Sequence, residues 1–457
     1  MKIRLALVGL AFSVVGCGHA ASHARDERPP QDVNVAAVTP TDAELPALAD
    51  AAARGEPSAA LRLRLAGPRG LDAVLVAYDA ESDPARRARL SSAIDAVAKQ
   101  KDARAARLYW YTDIAEAEKV ARASGRPILS LRLLGQLDDE LSCANSRFFR
   151  TALYPNREVN ALLRDKFVLH WSTERPAPVV TIDFRDGRIV RRTVTGNSLH
   201  YVMDSDGRIV DAIPGLLGPR AFVRVVSAAG EIARTTRDLS AVERRDRLAA
   251  WHASALADLR ASWSRDTAGV PALARTALPG DRFASVLARA EKAPPSAFVA
   301  MPVAATKAVV ERPILAKTMA PPSSAPVELG ADVPWTSLAP AHATECRLDV
   351  ASVALVREKQ PRNWSDASAM GRPLDDGELA QLVATFESSM AIDTVKNEYL
   401  LHAIVHQWLR DDADLSFTTL DDRVYTQLFK TPAGDPWLGL VPPTAFSALQ
   451  DDGIVAR

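Results

Sequence analysis

The chain is 457 residues long, with 56 lysines and arginines balanced by 56 aspartates and glutamates, and only three cysteines. That length allows two or three domains with sizeable cores, while the balanced charge excludes the basic footprint of a nucleic-acid-binding protein. No basic stripe points to an anionic lipid surface, and no GxxxxGK[ST] loop, GxSxG elbow or GxGxxG after a strand supports a nucleotide site, a serine hydrolase or a bound cofactor.

Lys2 and Arg4 precede an apolar stretch from Leu5 to Val15, and the segment closes with Val14-Val15-Gly16-Cys17. A short basic region, an apolar core and small residues at a cleavage point describe an export signal, too short for a permanent membrane span. The last four residues resemble a bacterial lipobox, which implies that residues 1–17 are a lipoprotein signal peptide and that Cys17 becomes the lipidated first residue. Gly18 after Cys17 leans, by the same resemblance, towards an outer-membrane anchor facing the periplasm. Residues 18–43 are polar and interrupted by Pro29, Pro30 and Pro40, the composition of a tether. Residues 44–108 are rich in Ala, Leu and Arg, and Leu71, Val74, Leu75 and Tyr78 fall at helical spacing, which predicts a small helical region.

Asp113 with Glu116 marks a helix start, and Gly125 with Pro127 marks its stop. An apolar run from Ile128 to Leu134 then breaks at Gly135 into a loop carrying Asp138, Asp139 and Glu140. Cys143, an amphipathic segment and a second apolar run from Phe167 to Trp171 follow, so the order is strand, loop, helix, strand. Asp186-Gly187 and Asp206-Gly207 read as two hairpin turns, and a helix is expected near Pro219 to Ala233. A cysteine where a loop meets a helix start lies near unpaired amides and the positive end of the helix dipole, which favour a thiolate.

This arrangement resembles the thioredoxin fold over roughly a quarter of the chain, with Cys143-Ala144-Asn145-Ser146 in the place of the family's CxxC. The resemblance implies a thioredoxin-like domain at 109–235, with Cys143 as the attacking thiol. Ser146 stands where the family has its resolving cysteine, so a two-thiol cycle cannot close within the motif. Ser142 replaces the usual tryptophan, the strand lacks the family's buried carboxylate, and the cis-proline position falls near Ser198.

Residues 240–292 read as helix again, with Leu248, Trp251, Leu256 and Leu259 near helical spacing. The proline-dense segment 293–340 reads as a linker or an extended surface arm. Residues 341–457 read as a mainly helical domain whose best helices lie near Asp376 to Ser389 and Ile392 to Arg410, with Trp437 as the plug that pins its tail. The expected class is α/β, a thioredoxin-like domain flanked by a helical N-terminal region and a mainly α-helical C-terminal domain.

Glu398, His402 and His406 are four apart on a predicted helix, which places them on one face where they could hold zinc. Val395, Tyr399 and Leu409 lie beside that face, so the preferred reading is hydrogen-bonded core histidines and no metal. His170 and His200 fall on predicted strands, as proton carriers for Cys143 or as structural residues. In an exported protein, Cys143 and Cys346 could form a disulfide. The expected function is a lipid-anchored envelope protein with a degenerate thioredoxin-like domain in a binding or scaffolding role. The alternative is single-thiol disulfide exchange at Cys143, assisted by Ser146, with a protein thiol or disulfide as partner.

Overall fold

The computed structural model describes residues 39–287, 296–318, 329–360, 374–441, 448–450 and 454. The export signal, Cys17 and most of the tether lie outside the described residues. Thr39–Arg457 forms one compact unit.

Four helices open it: Leu45–Arg54, Pro57–Leu65, Pro68–Ala80 and Pro84–Ala98. Each has proline in its first two positions, where a missing N–H leaves no helical bond unmade. They bury Leu63, Val74, Ile94 and Val97 in a core of their own. Gly70 lets the second and third of them meet, since a Cβ there would lie 1.8 Å from the Leu63 carbonyl oxygen.

A mixed α/β layer follows. Asp113 caps the helix Ile114–Ser124 by accepting from the Ala115 and Glu116 amides, and Gly125 ends it at φ 68°. The four-stranded sheet has the order β2-β1-β5-β6. Its strands are β1 (Ile128–Leu134), β2 (Val168–Arg175), β5 (Leu199–Met203) and β6 (Ile209–Pro214). β1 runs parallel to β2 and antiparallel to β5, and β5 pairs antiparallel with β6. The intervening strands β3 (Val179–Asp183) and β4 (Ile189–Thr193) form a separate two-stranded sheet. The helix Pro219–Thr235 packs against β5 and β6 with Phe222, Val226 and Ala229 buried.

The remaining helices are not a separate layer. The helix Ala241–Thr267 starts with a reciprocal Ser240–Glu243 capping box and packs along Ala403–Asp411. The helix Asp376–Lys396 runs through a π-helical turn, Asn397–His402, into Ala403–Asp411. Leu256, Trp263, Val395, Leu400 and Ile404 join the sheet residues Leu131, Tyr201 and Ile213 in one apolar core.

Two expectations are corrected. Within the proline-dense segment 293–340, whose pairs Pro294-Pro295 and Pro321-Pro322 lie outside the described residues, the longest element is the helix Ala305–Thr318, which tolerates Pro313 and buries Lys307, Glu311 and Leu315. Leu315 and Ala308 pack with Val194, Ala297 and Met301, so apolar burial outweighs the proline signal there. Trp437 is not the plug: it is 48% exposed, whereas its neighbour Leu438 is buried. The tail is held by Arg175, whose guanidinium donates to the carbonyls of Thr431 at 2.8 Å, Pro432 at 3.1 Å and Asp435 at 3.3 Å. Arg175→Ala therefore costs about 1–3 kcal/mol by stranding these acceptors, while Trp437→Ala stays within about 0.5 kcal/mol of wild type. Urea unfolding of the two variants checks the order.

Candidate functional site

Two places collect chemistry-bearing side chains. The first is Cys143, which precedes the five-residue helix Ala144–Phe148 and is 1% exposed. Its amide donates to the Leu134 carbonyl at the end of β1, which anchors the residue to the sheet. Its Sγ lies 2.9 Å from Ser198 Oγ and 3.4 Å from Ser146 Oγ. Ser146 spends its own proton locally, lying 2.8 Å from both the Cys143 carbonyl and Ser142 Oγ.

The segment after β4 closes over this thiol. A Cβ on Gly196 would lie 2.1 Å from the Cys143 Cβ, so only glycine allows that approach. Asn145 donates to Asn197 at 3.3 Å, and Arg147 donates to Ser142 O at 2.6 Å and to Thr193. Two acids of the upstream loop are paired, Asp138 to Lys99 at 3.2 Å and Glu140 to Lys359 at 3.1 Å.

The other residues expected near this thiol serve elsewhere. His170 Nδ1 lies 2.8 Å from Ser130 Oγ, and burial lowers its pKa to about 4. His200 Nε2 lies 2.8 Å from the Tyr154 hydroxyl among Phe149 and Phe222, and burial lowers its pKa to about 3. Both are neutral core imidazoles. Cys143 and Cys346 are both free thiols, so the disulfide left open by the sequence is not formed. Cys346 lies 3.4 Å from Thr394 Oγ1, and burial pushes its pKa to about 12.

The second place is a cavity of about 550 Å³ between the helices Pro219–Thr235 and Ala241–Thr267 and the run through the π-turn. Its walls include Arg224, Trp251, Arg265, Asp266, His342 and Tyr399. At its floor, Asp211 rises from the middle of β6. His402 Nε2 lies 3.0 and 2.9 Å from the two Asp211 carboxylate oxygens, and His406 Nδ1 lies 3.9 Å from Oδ1. His252 approaches from the long helix, its Nδ1 2.8 Å from His406 Nδ1 and its Nε2 3.1 Å from the Val210 carbonyl. Burial opposes ionisation of Asp211, but its histidine partners, His402 foremost, outweigh burial and hold the carboxyl well below the usual carboxylate range. Burial lowers the pKa of His252 to about 4 and that of His406 well below its ordinary value.

The π-turn changes the expected face. Wider winding at Asn397–His402 sends Glu398 to Arg224, 2.6 Å away, while His402 and His406 turn to Asp211. Glu398 thus lines the same cavity without joining the histidines. Asp211 and His252 were missed from the sequence, although each left a signal. Asp211 is a lone charge inside the apolar run Ile209–Pro214, and His252 interrupts the apolar stripe of Leu248 and Leu256.

No family model, curated protein or solved structure matches this chain.

On the cavity wall, His342 sits between Asp266 at 2.9 Å and Glu345 at 3.1 Å. Burial opposes charging of the ring, but the bonds to Glu345 and Asp266 prevail and raise its pKa from 6.5 to about 9. A raised folded pKa contributes stability that is complete below pH 6.5 and lost as pH climbs through about 9. The wild type should therefore lose more thermal stability than His342→Gln between those two pH values, as measured by calorimetry.

Proposed function

We propose that this chain is a lipid-anchored protein of the bacterial cell envelope whose thioredoxin-like frame serves a binding or scaffolding role rather than thiol exchange. The lipobox resemblance at Val14-Val15-Gly16-Cys17 supports the anchor. Among the described residues no helix is long and apolar enough to cross a membrane. Support for the frame comes from the run β1, Cys143, helix and β2, the closing hairpin β5–β6, and the covering helix Pro219–Thr235. Ser198, at the position expected for the family's cis-proline, lies against Cys143 Sγ.

The observation that carries the binding role is the burial of Cys143 beneath the 194–198 segment. In-line attack on a protein disulfide requires an open path to the sulfur, and Gly196 and Ser198 occupy it. Single-thiol exchange is the second reading, favoured by three basic side chains within electrostatic reach of Cys143, the half-buried Arg147 and the buried Arg150 and Lys307. In that reaction a Cys143 thiolate would attack a partner disulfide and release one partner thiolate. The resulting mixed disulfide would await an external thiol.

Alkylation of the full-length protein, native and denatured, read by mass spectrometry separates the two. Cys143 should stay unmodified in the native protein at neutral pH and react fully once denatured. Native labelling at the rate of an exposed cysteine would transfer the assignment to thiol exchange.

A further inference from the structure

We propose that the floor of the cavity is a binding site for one divalent transition-metal ion, zinc by its donor chemistry, ligated by Asp211, His252 Nδ1 and His406 Nδ1. The site stands apart from Cys143, so it holds or fails independently of the reading of that thiol.

Donor geometry is the first support. The ligand atoms of Asp211, His252 and His406 all lie within 4.8 Å of one another, and all three residues are buried. Zinc bonds of about 2.0–2.1 Å in a tetrahedral shell set donors about 3.4 Å apart. The 2.8 Å between the two Nδ1 atoms and the 3.9 Å from His406 Nδ1 to Asp211 bracket that spacing.

The second support is the surrounding shell. His252 Nε2 faces a backbone carbonyl, which can only accept, so its proton sits on Nε2 and its Nδ1 lone pair points towards His406. A ligating histidine is oriented in this way, by giving its other N–H to a carbonyl or carboxylate. His402 performs the matching service for Asp211: its Nε2 reaches both carboxylate oxygens, and the Ala212 amide donates to Oδ1 at 2.9 Å. His402 is thus a positioning residue, not a ligand.

Charge is the third support. Asp211 is fully buried, and its ion-pair partners among the described residues are His402 and His406, with no lysine or arginine. A fully buried carboxylate with neither lysine nor arginine paired to it among the described residues is a group that a bound dication compensates. The donor set is nitrogen and oxygen without thiolate, which suits zinc and its first-row neighbours better than calcium or magnesium.

The last support is access. Asp211, His402 and His406 line the cavity, so an ion can enter from it and retain a coordination position open to a small molecule. Three protein ligands and one open position are the pattern of reactive rather than purely structural zinc.

The test uses the full-length chain, purified without a histidine tag, treated with chelator and titrated with Zn²⁺ and Co²⁺. One ion per chain is expected, and the cobalt spectrum should lack a thiolate charge-transfer band. His252→Gln and His406→Gln should each weaken binding about 100-fold or more, and His402→Gln about 10–100-fold. His342→Gln, on the wall of the same cavity, should bind as wild type. If the histidine variants do not fold, X-ray absorption of the wild-type zinc complex decides, and the expected shell is nitrogen and oxygen with two imidazoles. Failure of both ions to bind, a sulfur-containing shell, or undiminished binding by folded His252→Gln and His406→Gln would overturn the site.

Discussion

Every residue of β5 and β6 is buried, so this half of the sheet must be covered on both faces. Side chains alternate across a strand, and a strand buried on both sides cannot leave alternate positions in water. The helix Pro219–Thr235 packs on these strands, and the run from the π-turn into Ala403–Asp411 packs on β6. The C-terminal helices are therefore the second wall of the α/β core, and Leu400, Ile404 and Val405 share that core with Val202 and Ile213.

Covering both faces also traps polar groups, which must find partners inside. Tyr201 donates to Asp421 at 2.8 Å, the Gly218 amide to Thr394 at 2.8 Å, and Asn397 to the Leu216 carbonyl at 2.5 Å. Asp211 finds its histidines on the same seam. These bonds set the register between sheet and helices more narrowly than apolar packing does, because an unmade buried bond costs more than a shifted methyl. The π-turn belongs to this seam: Asn397, Glu398 and His402 all lie within it, and all three make bonds across it.

The two sites differ in what their surroundings permit. Around Cys143 the helix is one short turn that passes directly into a π-helical turn at Phe149–Leu153, so its dipole is small, and the thiol is sealed by Gly196 and Ser198. The cavity has the opposite character: it is open, lined by charge, and floored by a buried carboxylate and its histidines. Arg224, held by Glu398 at 2.6 Å and Glu345 at 3.3 Å, and His342, held by Asp266 and Glu345, give it rigid polar walls. Preorganised polar groups around an open cavity are the lining that small-molecule sites use, and the buried thiol has no such opening.

Local signals were sufficient for much of the frame. Asp113 and Gly125 delimit their helix, the apolar runs place β1 and β2, the Asp206-Gly207 turn places the β5–β6 hairpin, and Pro219 opens the covering helix, because caps, turns and periodicity act within a few residues. Long-range packing decided the rest. His252 and His406 are 154 residues apart, and no spacing rule links either to Asp211 on β6. The π-turn that separates Glu398 from the histidines follows from bonds to the sheet, not from helix propensity, so a regular four-residue spacing misassigned that face. Leu438 rather than Trp437 is buried, and the segment around Pro313 is helical, for the same reason: which face of a segment meets the core depends on where the rest of the chain lies.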